Sequence, residues 1–282
     1  MRQMEKIKII TDSTADLPKE VYEKYDIEVL PLLINFGEES YLDGVEITPE
    51  VLFERIEKEG SLPTTAQVIP NRFMDTYKKY LDDGYKIISI HISSAMSGTY
   101  QSACIAKDTL ESEDIFVIDS KNVTAALGML VLKAAILKEN GYGTKEIAEE
   151  LEKIKFNIKS SILFESLDNL VRGGRISKTA GIVGSVLGIK LILEIKDGLM
   201  SVKDKIRGSK KAIKKIISDL ESNDLDNDVP VILIEVDNPE VTNALETYLI
   251  ENKVNYILSP VGTTVCILSL IHISEPTRLR CI

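Results

Sequence analysis

The chain has 282 residues and a formal net charge of −10, with 44% hydrophobic and 28% charged residues. Its length suggests about two domains, its composition is that of a globular protein, and its acidic balance excludes general nucleic-acid binding, which needs a basic footprint. No apolar run is long enough to span a bilayer, no leader precedes the first strand, and Cys104, Cys266 and Cys281 have no paired spacing, so a reduced cytoplasmic protein without stable membrane insertion is expected.

Residues 6–11 read as a buried strand that runs into TDSTADLP at 11–18, where Asp16 is placed to cap a helix over Leu17–Tyr25. Residues 27–36 are extended but interrupted by Pro31, and Gly37, Glu38 and Glu39 form a hairpin tip. Thr48 and Pro49 open a helix to about Glu59, hydroxyl at the cap and proline at the first position. A polar loop over 60–67 carries the adjacent hydroxyls Thr64 and Thr65. Pro70 starts a helix with Phe73, Tyr77 and Leu81 on one face. Lys86–Ile92 is dense enough in apolar residues to be a buried strand, and it enters SSAMSGT at 93–99. Helical spacing begins after Ser97, which sits at the cap position. A strand over 114–119 and helices over 124–139 and 145–156 follow, with Gly141 ending the first of these helices. This alternation predicts an N-terminal parallel sheet with flanking helices over residues 1–158.

The texture changes from Ser160. A short strand at 161–164 and a short helix around Leu167, Leu170 and Val171 lead to RGGR at 172–175. A small-residue helix is expected over 179–187, with Gly181, Gly184 and Gly188 on it or at its end. Strands at 190–195 and 199–202 flank Lys196, Asp197 and Gly198, a hairpin signal. Ser209 caps a basic helix to Leu220, and a strand over 229–236, a helix over 239–252 and a strand over 255–258 complete a second α/β domain. Its sheet is expected to be mixed and partly antiparallel, and it spans 159–265.

No HExxH, paired CxxC, GxxxxGK[ST], GxGxxG or GxSxG motif occurs, so neither a metal nor a cofactor is expected. Asp12 in TDST lacks the second aspartate of an aspartyl phosphatase, since Thr14 stands there. His91 reads as core packing, or as a dyad with Ser97 that has no orienting carboxylate. The strand, hydroxyl loop and helix over 86–107 read either as an ordinary capped helix or as an anion site at a helix N-terminus. If Thr65 and Ser97 meet in space, two hydroxyls and helix N–H groups hold a carboxylate, and with no base beside them the ligand is left unchanged. Thr65 alone also reads as a helix-entry hydroxyl. Arg172, Arg175, Lys178 and Arg207 are either solvated surface or a docking face for an acidic or phosphate-carrying partner. A hydrolase or phosphatase using Asp12 or Ser97 is the second reading.

TDSTADLP, PTTAQ, HISSAMSGTYQSA, VIDSK and LVRGGRISK occur in that order over residues 6 to about 265. Together they resemble the DegV family. The resemblance implies two α/β domains with a long-chain fatty acid between them, its acyl chain in an apolar tunnel. It also implies presentation of the carboxylate to a separate fatty acid kinase, with ATP and the chemistry on the partner. By motif position it makes Thr65 and Ser97 the carboxylate ligands, with Thr64, Ser94 and Gly98 beside them. It makes Arg172, Arg175 and Arg207 candidates for kinase docking. The family's closing GxHxGPGxxG motif, with its ligand histidine, is absent after Val265, and His272 is not aligned with that histidine. SLIHISEPTR resembles translated sequencing-adapter sequence, so residues 266–282 read as a non-native tail.

Overall fold

The computed structural model describes residues 5–164, 167–176, 189–222, 228–235 and 239–269. The helix expected over 179–187, Lys178, His272 and the tail beyond 269 lie outside the described residues.

The first half opens with β1 (Ile7–Asp12), a single 3-10 turn at Ser13–Ala15, α1 (Lys19–Lys24), β2 (Ile27–Leu30), β3 (Leu33–Phe36) and β4 (Glu39–Leu42). Then come α2 (Pro49–Glu59), β5 (Thr64–Ala66), α3 (Pro70–Asp82), β6 (Lys86–His91), α4 (Thr99–Leu110), β7 (Ile115–Asp119), α5 (Thr124–Glu139) and α6 (Thr144–Ile154). The second half contains β8 (Ile162–Phe164), α7 (Asp168–Gly173), β9 (Ile189–Lys196), β10 (Leu199–Arg207), α8 (Ser209–Glu221), β11 (Val231–Glu235), α9 (Pro239–Glu251), β12 (Tyr256–Pro260) and α10 (Thr263–Ser269).

The strands β2-β1-β6-β7 form a parallel sheet in that order. All six residues of β1 are buried, as expected for a central parallel strand covered on both faces. The extended run over 27–36 divides at Pro31, which has no N–H to donate. Its halves join different sheets, β2 the parallel one and β3 a small antiparallel sheet in the order β4-β3-β5. In the second half β10-β9-β8 is antiparallel and β11-β12 is a parallel pair. The α/β architecture, with a parallel sheet in the first half and both antiparallel and parallel pairing in the second, is the one the sequence predicts.

Packing joins the two halves. One apolar cluster runs from Ile9, Ile88 and Ile90 through Leu127, Leu130 and Val131 of α5 to Leu170, Leu191, Leu193 and Ile232. The helix α5 is buried on nearly all sides, which its uniformly apolar sequence requires. Gly128 lets it approach the 3-10 turn, where an added Cβ would stand 2.5 Å from the Ala15 carbonyl oxygen.

Three helix starts differ from expectation. Pro18, not Asp16, precedes α1, because Asp16 turns into the left-handed region at φ 46° and spends its carboxylate elsewhere. Gly98 precedes α4 and Gly208 precedes α8, placing Ser97 and Ser209 one residue off the cap. At the other end, α10 buries Cys266, 1% exposed, against Ile34, Phe36 and Leu52.

Candidate functional site

The strands β1 and β6 lie side by side in parallel and finish together, Thr11 opposite Ile90. The TDST and SSAMSG segments therefore leave from one carboxyl edge of the sheet, where open α/β sheets bind ligands. Asp12 ties the two segments. Its Oδ1 accepts from the Thr14 N–H at 3.1 Å and the Thr14 hydroxyl at 2.5 Å. Its Oδ2 accepts from the Ile92 N–H at 2.9 Å and lies 3.0 Å from His91 Nδ1.

His91 is therefore more than packing, and the orienting carboxylate that the sequence did not reveal is Asp12. The histidine's other nitrogen meets Ser89, not Ser97, at 2.6 Å, and Tyr77 donates to Ser89 at 2.7 Å. Each hydroxyl has one proton, so Ser89 donates to Nε2 and the histidine proton on Nδ1 donates to Asp12. Asp12, Ser89, His91 and Tyr77 are all 0% exposed. The constellation has the members of a hydrolytic triad, but it is sealed inside the sheet and serves to hold the loop that follows.

That loop is fixed further along. The Ser93 N–H donates to the Asn122 carbonyl at 2.9 Å, and the Ser94 N–H to Asp119 at 3.1 Å. Lys121 bridges Asp119 at 2.7 Å and the Ser94 hydroxyl at 3.0 Å. Burial raises the Asp119 carboxyl, but hydrogen bonds from Lys121 and Ser94 outweigh it and hold it below the ordinary carboxylate range. Ser94, a predicted neighbour of the site, thus has its backbone and side chain anchored.

The second predicted hydroxyl comes from the small sheet. Thr65 sits in β5 opposite Ile34 and is half-buried, while Thr64 is exposed. Two links draw this segment to the start of α4. Gln67 Nε2 donates to the Ser102 hydroxyl at 3.0 Å, and the Val68 N–H to the Thr99 hydroxyl at 3.4 Å. Ser97 Oγ lies 3.0 Å from the Thr99 hydroxyl and accepts the Thr99 N–H at 3.3 Å. The fold thereby places the PTTAQ segment against the SSAMSG turn at the start of α4, a helix N-terminus of the kind that can hold an anion.

The basic candidates divide. Arg175 is turned inward: its Nε donates to the Met96 carbonyl, beside Ser97, at 3.1 Å, and its Nη1 to the Gly173 carbonyl. Arg207 is exposed at the end of the edge strand β10. The Arg172 side chain lies outside what is described.

Two contacts from the second half were not legible beforehand. The hairpin tip at Gly198 rests on the SSAMSG turn, where an added Cβ would overlap Ser93 Oγ. The end of β12 and the segment after it sit on Asp16: the Ser259 hydroxyl donates to its carbonyl at 2.6 Å and the Gly262 N–H to its Oδ1 at 3.1 Å, while Thr124 of α5 donates its hydroxyl to Oδ2 at 2.7 Å. Burial pushes the Asp16 carboxyl well above the ordinary range against the Thr124 hydrogen bond, and the nearby Asp43 adds to the rise. Burial raises Asp43 too, against the hydrogen bond that the Ser13 hydroxyl donates to its Oδ2 at 2.7 Å.

Elsewhere, a groove of about 460 Å³ near α5 and α6 is lined by Lys133, Tyr142, Glu146, Glu149 and Lys153 among others, a charged wall unsuited to an acyl chain. Among the described residues no group of three or more His, Cys, Asp or Glu side chains is placed to hold a metal, and no helix is long and apolar enough to cross a membrane.

Comparison with known proteins gives a consistent picture. The DegV model, described as "Uncharacterised protein, DegV family", matches residues 6–269. A DegV domain-containing protein of Clostridium perfringens is 56% identical over 264 residues, covering 94% of this chain and 95% of the relative. Among solved structures, DegV of Bacillus subtilis, described as a fatty acid binding protein, matches with a TM-score of 0.82 at 32% identity, covering 94% and 95% of the two chains. A stearic acid-binding protein of Eubacterium ventriosum matches with a TM-score of 0.82 at 26% identity, covering 93% and 94%.

Proposed function

The chain belongs to the DegV family, and we propose that it binds a long-chain fatty acid between its two halves and presents the carboxylate to a separate fatty acid kinase. The observation that carries this reading is the meeting of the PTTAQ and SSAMSG segments at the start of α4, in a fold whose solved relatives bind fatty acids. In this reading Thr65 and Ser97 donate to the carboxylate, while Thr64, Ser94 and Gly98 shape its surroundings. The acyl chain lies against apolar side chains of the shared core. Each buried CH₂ contributes roughly 0.8 kcal/mol, so a long chain binds tightly without catalytic groups.

A hydrolase or phosphatase is less well supported. Asp12 is buried and already accepts several hydrogen bonds, and the Ser97 hydroxyl is bonded to Thr99 and not to His91. For the kinase, Arg207 is the leading docking residue, with Lys205, Lys210 and Lys211 exposed nearby in the chain. Arg175 is committed to backbone carbonyls. Arg207→Ala is expected to reduce acyl-phosphate formation by the kinase more than fatty-acid affinity, and added salt to weaken the partnership. Loss of lipid with normal delivery would place Arg207 in the pocket instead.

The test of binding itself is direct. Solvent extraction of the purified chain followed by mass spectrometry should release a long-chain fatty acid. Delipidated chain should melt at a higher temperature when palmitate or oleate is added, since only the folded state binds. An empty extract together with an unmoved melting curve would sink the reading.

A further inference from the structure

The candidate carboxylate site depends on two loops keeping a fixed separation, and the residues that set it can be identified. We propose that Gln67 and Thr99 are positioning residues which staple the Thr65 segment to the start of α4 and leave the Ser97 hydroxyl only able to donate. The proposal rests on the reading of Thr65 and Ser97 as carboxylate ligands.

The hydroxyl protons around Ser97 can be assigned one by one. The Thr99 hydroxyl accepts the Val68 N–H, and Thr99 is 0% exposed. Buried with Ser97 Oγ 3.0 Å away as the acceptor in reach of its own proton, the Thr99 hydroxyl is assigned as the donor of this pair. Ser97 Oγ also accepts the Thr99 N–H at 3.3 Å. Two incoming donors fill the two acceptor positions of a hydroxyl. The Ser97 proton is then free to point away from α4, toward the partly exposed side. A hydroxyl in this state suits an oxygen that only accepts, which is what a carboxylate offers.

Space beside Ser97 is filled as well. The Gln67 side chain lies across Gly98 so closely that a Cβ there would overlap its amide. Gly98 has φ −76° and ψ 2°, angles open to any residue, so what a side chain there would displace is the Gln67 amide and not the backbone. The amide lying in that room holds the Ser102 hydroxyl at 3.0 Å, and Thr65 is two residues back along β5. Gln67 is exposed, so a residue serving only stability would be expected to matter little.

The test uses delipidated full-length chain, with oleate and oleyl alcohol titrated calorimetrically. Gln67→Ala should weaken oleate binding about fivefold while the melting temperature of the free protein stays put. Gly98→Ala should do the same by displacing the amide, and the double variant should be no worse than the stronger single one, because both remove one contact. Thr99→Val should weaken oleate about tenfold and oleyl alcohol much less, and Thr99→Ser should restore the acid-to-alcohol preference. Wild-type affinity in Gln67→Ala and Gly98→Ala, with Ser97→Ala weakened, would overturn the staple and leave the site intact. Equal losses for acid and alcohol in Thr99→Val would make Thr99 merely structural and also overturn it. Wild-type affinity in Thr65→Ala and Ser97→Ala would overturn the underlying reading instead.

Discussion

Gly198 shows how much a single residue can decide. It follows Asp197 at the tip between β9 and β10, both residues have positive φ, and the glycine has no room for a side chain over Ser93. Gly198→Ala therefore combines left-handed backbone strain with overlap against the SSAMSG turn. The strain alone costs roughly 1–2 kcal/mol, and urea unfolding should show a loss at least that large. Wild-type stability would mean that the hairpin tip does not press on the turn. Thr65 and Ser97 are different, because both are at least partly exposed. Thr65→Ala with Ser97→Ala should leave the chain folded, with a modest loss of urea stability from the acceptor Ser97 offers buried Thr99, while weakening fatty-acid binding. Each lost hydrogen bond to a charged group is worth roughly 1.5–3 kcal/mol. Unchanged affinity would reduce both hydroxyls to local structure.

At the scale of elements, the start of α6 is finished from outside the helix. Glu5, just before β1, accepts from both the N–H and the hydroxyl of Thr144 and pairs with Lys86 of β6 at 2.8 Å. The Lys86 hydrogen bond, followed by those from Thr144, lowers the Glu5 carboxyl to about 2. A carboxyl depressed by folding contributes stability above its ordinary value and loses it as pH falls through the folded one. Stability should accordingly decline as pH drops from about 4 toward 2, and Glu5→Gln should be less stable near neutrality with a flatter acid limb. Identical acid limbs by urea titration would show that solvent screens the group. The helices α2 and α3 behave as their sequences indicate, each with proline in its first turn. Proline also separates β2 from β3, and the strand pattern alone did not say that they enter different sheets.

Across the whole molecule, the two halves meet on buried acids. Burial raises both Asp16 and Asp43, Asp43 adds to the rise of Asp16, and the segment over 259–264 packs beside them. Here the sign is opposite to that of Glu5. The folded chain binds these protons more tightly than the unfolded chain, so stability falls as pH rises from the ordinary carboxylate value through the raised ones. Asp43→Asn keeps an acceptor for Ser13 and removes the like charge. Its stability should decline less with rising pH, measured by urea unfolding across that window, and an unchanged slope would count against the coupling. Gly262→Ala should separate the same joint, because its Cβ would overlap Asp16 Oδ1.

The sequence by itself determined the strands, most helices and the two hydroxyl loops, because these depend on residues near one another in the chain. Periodicity, proline in the first turn and small polar runs are local signals. The order of the motifs was enough to suggest the family. The sequence left His91 without a carboxylate, because Asp12 is 79 residues away and only parallel pairing of β1 with β6 brings them together. It read Asp16 as a helix cap, because its partner Gly262 lies 246 residues on. Gln67 over Gly98 and Gly198 over Ser93 were equally hidden, since both depend on which loops the sheets bring into contact. Only the tertiary structure decided these pairings: side chains distant in sequence meet when burial of the shared apolar core fixes the sheets and leaves their buried polar groups to satisfy one another.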